Sequence, residues 1–334
     1  MKFAYRSNKK NNGTLIIVTN EVGSSLVPMN PLSRSFSDAQ GTVNAALAEI
    51  ADKVFFDGMR NSSTNKRRNK MKGFILALQF FTRIPIPVNI EFTESNLKKA
   101  FFFLPLIGAV IEAVALIPIY FISNTYLEEA AGLSLILYLF LTGGLHIDGL
   151  ADTLDGFLSA HKRKEKILEI MSDPRIGSFG TTGISFAVLS RYIAYAGVMP
   201  HGGILILAGI ISRLAGVGMA VFVKPAKETG LGILFHKSAS KISFFFWLIA
   251  VCILCLFTPE ISSFSLKYLN FTLAEFSYRM KYLLFPLIAF FLTFIIAKIA
   301  YKKIDGTTGD VNGCAVELTE LAILFSIIFI QPVN

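Results

Sequence analysis

The sequence predicts an all-α fold, a polytopic membrane helical bundle of about seven transmembrane helices, preceded by a short soluble fragment of α/β character. Three observations predict it. Of 334 residues, 53% are hydrophobic and only 16% are charged, where soluble domains carry about a quarter charged residues. Apolar runs approaching the roughly 20 residues needed to cross a hydrocarbon layer recur from Gly73 onward. Lys and Arg, which bring the formal net charge to +9, gather beside those runs as the positive-inside rule expects. The basicity is therefore a matter of topology, and no nucleic-acid partner is expected.

In chain order, residues 1–60 come first, with an apolar strand Leu15 to Thr19, a turn-rich stretch Glu21 to Leu32 and a helix-like run Thr42 to Asp52. A domain of about 60 residues is marginal unless stapled, and nothing here staples it. Residues 61–72 read as a basic linker, with Met71 placed where an independent membrane protein could begin, and 73–334 as the membrane domain. No cleavable leader pattern opens the chain, so insertion is expected to use an internal segment. Phe74 to Phe81 is apolar but halted by Arg83, Pro85 and Pro87, which suits an interfacial or re-entrant piece.

The expected crossings are Ala100 to Ser123, Ala131 to Leu145, Thr181 to Met199, Gly203 to Val223, Ser243 to Phe257, Leu283 to Ala300 and Cys314 to Ile330. The second, fifth and seventh are short or interrupted. With these crossings, Lys66 to Lys72, Lys98, Lys99, His161 to Lys166, Lys224 to Lys241, Lys302 and Lys303 fall on one side, which should be cytoplasmic. Glu128, Glu129, the Pro200-His201 turn and the loop Pro259 to Lys281 then face outward. Membrane lipid is the surrounding partner.

Cys252 and Cys255 form a C-x-x-C inside an apolar run, where neither thiolate nor metal is stable without polar partners, so packing is expected. Cys314 is solitary. His146, His161, His201 and His236 show no zinc-ligand spacing.

The strongest chemical signal is Asp148-Gly-Leu-Ala-Asp152-Thr-Leu-Asp155-Gly156, directly after an apolar run. At 100° per residue, carboxylates at i, i+4 and i+7 lie within about 60° of one another on a helix. Such a stripe is relieved by raised pKa values or by a divalent cation. Mg2+ suits it best, since it takes hard oxygen ligands and keeps positions open for substrate phosphates. A merely solvated acidic helix end is the bland alternative, weakened because no Lys or Arg stands at helical spacing within the motif. A second motif, Asp305-Gly-Thr-Thr308-Gly309-Asp310-Val-Asn312-Gly313, offers another carboxylate, a neutral Asn and glycines that let backbone N–H groups approach phosphate. Alone it would pass for a tight loop. A third, Asp173-Pro-Arg175-Ile-Gly177-Ser178-Phe-Gly180, makes an anion clamp of one Arg and a helix N-terminus, or else an interfacial anchor. Lys224 and Lys227 could hold phosphates, although snorkelling is the commoner role. Within the membrane runs Glu112, Arg191, Arg213, Glu317 and Glu320 should face the bundle interior and pair. Glu317 and Glu320 lie beyond Asp310 on the same run and are expected to stand behind the site.

Together these residues resemble the cobalamin synthases, the adenosylcobinamide-GDP ribazoletransferases of vitamin B12 assembly. The resemblance begins at Met71 and runs through Ala77 to Pro87, His146 to Gly156, Asp173 to Gly180 and Thr308 to Gly313, covering most of the chain. It departs at Pro174 and Cys314, where a small polar residue and an Ala are expected. It implies a magnesium-dependent transfer of the adenosylcobinamide phosphate moiety from adenosylcobinamide-GDP to α-ribazole or its 5′-phosphate, releasing GMP. Asp148 and Asp152 would then be metal ligands, with Asp155 and Asp310 completing the cage as ligands or one of them acting as base, and Arg175, Gly177, Ser178, Thr308 and Gly309 at the phosphates. The opening segment, Leu15 to Asp38, resembles the C-terminal part of adenosylcobinamide kinase/guanylyltransferase. It lacks a Gly-rich Lys phosphate loop, so it is expected to be inactive alone, either a fusion remnant or a fragment that associates with another cobalamin-assembly enzyme.

Two other classes compete. A CDP-alcohol phosphotransferase also carries an Asp-x-x-Asp-Gly opening, but no Ala-Arg follows Gly156. A cation-coupled transporter would place its acids near the midplane between internal repeats, and no repeat is present.

Overall fold

A computed structural model of the chain describes residues 66–122, 126–197, 202–257 and 279–330. The chain divides into Met1–Asn65 and Lys66–Asn334. The strand and helix expected within residues 1–60 lie outside the described residues, as does most of the expected outward loop.

The helices are α1 (Lys66–Phe81), α2 (Glu94–Ala115), α3 (Ile117–Phe121), α4 (Leu127–Thr142), α5 (Leu145–Leu158), α6 (Lys164–Ile170), α7 (Ser178–Gly197), α8 (Gly202–Phe222), α9 (Leu231–Ser238), α10 (Lys241–Phe257), α11 (Leu284–Ile304) and α12 (Gly309–Ile330). Among the described residues there is no strand, only an isolated bridge between Pro225 and Thr307. α1 begins at Lys66, inside the stretch expected to be a linker, because Lys and Arg are good helix formers. α2 starts where the Thr93 hydroxyl accepts the Asn96 N–H at 3.3 Å. α12 starts five residues before the expected Cys314, because the Thr308 hydroxyl accepts the Val311 N–H at 3.3 Å and so provides the cap.

Three helical stretches are long and apolar enough to cross a membrane, Ile204–Phe222, Lys281–Ile304 and Gly309–Ile330, and up to five if two bent pairs, α4 with α5 and α9 with α10, each count as one. The expectation was seven. α2 and α7 account for the difference: they have 22 and 20 residues, but α2 carries Lys98, Lys99 and Glu112, and α7 carries Arg191 among Ser and Thr residues.

Of the charges within those two helices, Glu112 and Arg191 are compensated inside the bundle, while Lys98 and Lys99 are exposed near the start of α2. α8 runs through the middle, with 89% of its span buried against 22% for the α11 stretch on the outside. α2, α12, α10 and α11 pack around α8, while α5 and α7 pack on each other and on α12. α2 and α8 cross at Gly108 and Gly209, where a Cβ on either would collide with the backbone of the other. Small residues allow such close crossings where lipid supplies no hydrophobic drive. Phe121, Phe140, Ile242, Phe290 and Phe329 stay exposed, as side chains facing lipid would. Cys252 and Cys255 are free thiols on α10.

The interior holds a charged cluster. Arg191 on α7 donates to Glu112 on α2 at 3.3 Å and to Glu317 and Glu320 on α12 at 2.9 and 3.0 Å, and its guanidinium lies 3.6 Å from the centre of the Tyr138 ring. The Tyr138 hydroxyl donates to Glu320 at 2.9 Å and the Tyr195 hydroxyl to Glu112 at 3.0 Å. Arg213 on α8 pairs with Glu320 as well. All seven side chains are buried. The five ionisable residues expected to pair inside the bundle do so with one another.

Candidate active site

Two glycines set the position of the acidic stripe. Gly143 and Gly144 adopt φ of 60° and 71°, a left-handed conformation that costs other residues about 1–2 kcal/mol each. They end α4 and start α5 with a bend of 81°. The break is pinned from α1's end, where the Arg83 N–H donates to the Leu141 carbonyl at 2.7 Å. α5 thus leaves the α4 direction and lies outside the straight spans. Asp148 falls in its first turn, where a carboxylate is favourable.

α5 meets the N-terminal end of α12 directly. A Cβ on Gly149 would fall 2.8 Å from the Asp310 carbonyl oxygen and 3.3 Å from the Gly313 Cα, so the two motifs touch backbone to backbone. The consequence is electrostatic. Asp152 is pushed up to about 7, first by burial and then by the charges of Asp148, Asp310 and Asp155. Among the described residues none of Asp148, Asp152, Asp155 and Asp310 belongs to an ion pair, although Lys227 lies within electrostatic reach of Asp310. No group of three or more His, Cys, Asp or Glu among those residues is gathered tightly enough to enclose a metal ion by itself.

The remaining expected residues divide. Thr308 donates its hydroxyl to Asp310 at 3.2 Å, and Gly309 lines the same pocket, so both join the site. Asn312 accepts from the Thr307 hydroxyl at 2.7 Å. The Asp305–Gly309 loop is tied to the end of α8 by Thr307 N–H to the Lys224 carbonyl at 2.9 Å and Ala226 N–H to the Thr307 carbonyl at 2.8 Å. Asp155 has a different set of partners: its two oxygens accept the Gly177 N–H at 2.7 Å and the Gly180 N–H at 2.8 Å. It therefore fastens the start of α7, with Ser178 as first helical residue, to the acidic helix. Arg175 lies against Asp173, donating from Nε and Nη2 at 3.0 and 2.7 Å, with 87% of its side chain exposed. The hydrogen bonds from its side chain and backbone hold Asp173 down at about 2. Glu317 and Glu320 belong to the buried charged cluster. Lys224 pairs with Asp305 at 3.0 Å, and Lys227 donates to Ser172 at 3.0 Å.

Beside Asp148 and Asp310 opens a cavity of about 90 Å³. His146, Asp148, Asp310 and Asn312 make its polar edge, and Phe80, Phe81, Phe101, Leu104 and Phe235 line its apolar part. The sequence reading missed His146 and these phenylalanines as site residues. Phe80 and Phe81 sit inside a quoted motif, which was a signal; Phe235 carries none.

Residues 73–328 match the family model described as cobalamin-5-phosphate synthase (CobS), and residues 2–58 match that of cobinamide kinase / cobinamide phosphate guanyltransferase (CobU). An adenosylcobinamide-GDP ribazoletransferase of Treponema denticola is 64% identical over 261 residues, which span 78% of this chain and 99% of the relative. Proteins with the same name from Clostridium botulinum (strain Loch Maree / Type A3) and Clostridioides difficile are 34% and 35% identical, covering 76% and 77% of this chain and 96% and 97% of their own lengths. No solved structure matches. With the acidic residues of two distant motifs gathered at one pocket and the match spanning the whole membrane unit around it, the chain belongs to the cobalamin-5-phosphate synthase family.

Proposed function

We propose that this chain transfers the adenosylcobinamide phosphate moiety from adenosylcobinamide-GDP to the 5′ position of α-ribazole, or to α-ribazole 5′-phosphate, and releases GMP. The observation that carries this reading is the contact of Gly149 with Asp310, which gives the two acidic motifs one site. The family membership removes the ground for a lipid phosphotransferase or a transporter.

Splitting a pyrophosphate with an incoming oxygen requires two anions to be brought into line and the charge growing on the leaving phosphate to be neutralised. Asp148, Asp152 and Asp310 offer hard, mutually repelling oxygen donors. They fit Mg2+, which commonly takes one or two carboxylates and completes its shell with water and substrate phosphates, so no closed protein cage is needed. When bound, the ion supplies neutralisation of phosphate charge. The chain's own residues orient the substrates: at the α7 N-terminus Asp155 takes the Gly177 and Gly180 N–H groups, and those of Ser178 and Phe179 are left to meet an anion. Lys227 adds a positive charge near Asp310. Arg175, exposed and paired with Asp173, can swing to a phosphate.

The Lys224 and Lys227 loop and the Lys302-Lys303 end of α11 lie at the acidic end of the bundle. By the positive-inside rule that end faces the cytoplasm, and the chain resides in the inner membrane. The seven expected crossings fit that orientation, with α2 and α7 spanning because their buried charges, Glu112 and Arg191, pair with each other. Residues 2–58, without a phosphate loop, have no kinase activity of their own.

The test is GMP release by membranes containing the full chain, given adenosylcobinamide-GDP, α-ribazole and Mg2+. Release that depends on all three supports the reading. Release independent of α-ribazole overturns it.

A further inference from the structure

We propose that the phenylalanine-lined cavity is the seat of the acceptor's aromatic base, a benzimidazole carried on its ribose, and that it excludes the guanine of the donor. This rests on the transfer reaction proposed above. Phe81, Phe101 and Phe235 form a mutual cluster with ring centroids 5.0 to 6.2 Å apart and none of the pairs stacked in parallel, and Phe80 adds a fourth ring 5.9 Å from Phe235. The four come from three helices, α1, α2 and α9, so the box is a product of assembly. The void of about 90 Å³ is smaller than a whole benzimidazole, so it is the benzo ring that enters between the tilted and edge-on rings, in the offset and T-shaped contacts a flat aromatic guest prefers, while the imidazole ring stands at the polar edge.

Polarity selects between the two flat rings of this reaction. Guanine carries a carbonyl, a ring N–H and an amine, and each such group buried without a partner costs about 1–3 kcal/mol. The inner wall of Phe81, Phe101, Leu104 and Phe235 offers no side-chain polar atom to pair with them. A benzimidazole bound to ribose keeps one acceptor nitrogen and is otherwise apolar, and His146 on the same lining can donate to that nitrogen. The cavity's other edge is Asp148, Asp310 and Asn312. A base seated among the phenylalanines therefore directs its ribose toward the carboxylates, where its 5′ oxygen meets the donor phosphate. The guanine is left outside the phenylalanine wall.

The experiment uses the full chain, purified in detergent, with two variants. Phe235→Ala removes a half-buried ring on a short helix, and Phe80→Leu removes a ring from a different helix. The expected result is a KM for α-ribazole raised about tenfold in each, matching the loss of about 1.4 kcal/mol that one aromatic contact can supply, with the KM for adenosylcobinamide-GDP unchanged. In a binding assay on the wild type, free benzimidazole should displace α-ribazole while guanosine should not. Equal changes in both KM values, no change in either, or displacement by guanosine overturns the assignment. A wild type that binds benzimidazole competitively but releases no GMP would refute the reaction and leave the pocket standing.

Discussion

Gly149 on α5 stands against the carbonyl of Asp310 on α12 so closely that a single added methyl would sit 2.8 Å from that oxygen. The spacing between the two acidic motifs is thus set by the absence of a side chain. Gly149→Ala should push the helices apart at overpacking costs of about 1–3 kcal/mol. Transfer activity should fall at least tenfold while the protein still inserts, as read by turnover and by detergent melting of the purified variant. Full activity would show that the contact does not set the site.

Asp148→Asn and Asp152→Asn should each lower turnover by about a hundredfold or more, if each carboxylate supplies several kcal/mol of charge stabilisation through a bound cation. Their melting temperatures should hold or rise, since each substitution removes a repelling charge.

Asp155→Asn should behave differently. Its oxygens accept two backbone N–H groups at the start of α7, and loss of charge there weakens hydrogen bonds worth about 1.5–3 kcal/mol each. The expected outcome is a lower melting temperature and a weakened KM for the donor, with the Mg2+ requirement unchanged. A shifted Mg2+ requirement would instead place Asp155 on the metal.

The metal should compete with a proton. Asp152 rises to about 7 because burial and three neighbouring carboxylates disfavour its charge, so below that pH the carboxyl is protonated and must lose its proton to bind a cation. Apparent Mg2+ affinity should fall about tenfold per pH unit below 7 and level off above it. Calorimetry in two buffers of different ionisation enthalpy should detect proton release near neutrality.

Translation begun at Met71 should retain transfer. The Treponema denticola relative is matched over 99% of its length by 261 residues of this chain, a stretch with no room for the opening segment. Activity lost in a correctly inserted truncation would assign that segment a role in the reaction.

The acidic stripe of α5 was legible because helical periodicity alone places residues 148, 152 and 155 on one face. The convergence with Asp310 was legible only as a shared membrane side, since the contact is made by backbone at Gly149 and Gly313. What Asp155 does with its oxygens was hidden, because its partners are main-chain N–H groups more than 20 residues away. Glu317 and Glu320 were recognised as charges that must pair, but their partners lie on α7 and α8, and nothing in local spacing names Arg191 or Arg213. The cavity wall was hardest: the chain has 31 Phe residues, and which four face one void is decided by how three helices meet. The bend at Gly143 and Gly144 was written in the sequence, yet the apolar run continues to Leu145 and concealed the break.

Because Arg191 and Arg213 pair with Glu317 and Glu320 on α12, a helix made after α11 carries counter-charges for two helices made much earlier. Until it arrives, Arg191 and Arg213 share one earlier carboxylate among the described residues, Glu112 of α2, and an arginine short of a counter-charge costs about 2.5–3.5 kcal/mol at a helix centre on insertion scales. Biogenesis must therefore hold α7 and α8 unfinished, at the insertion machinery or beside it, and a chain cut short by a premature stop before residue 317 would be an orphan for membrane quality control.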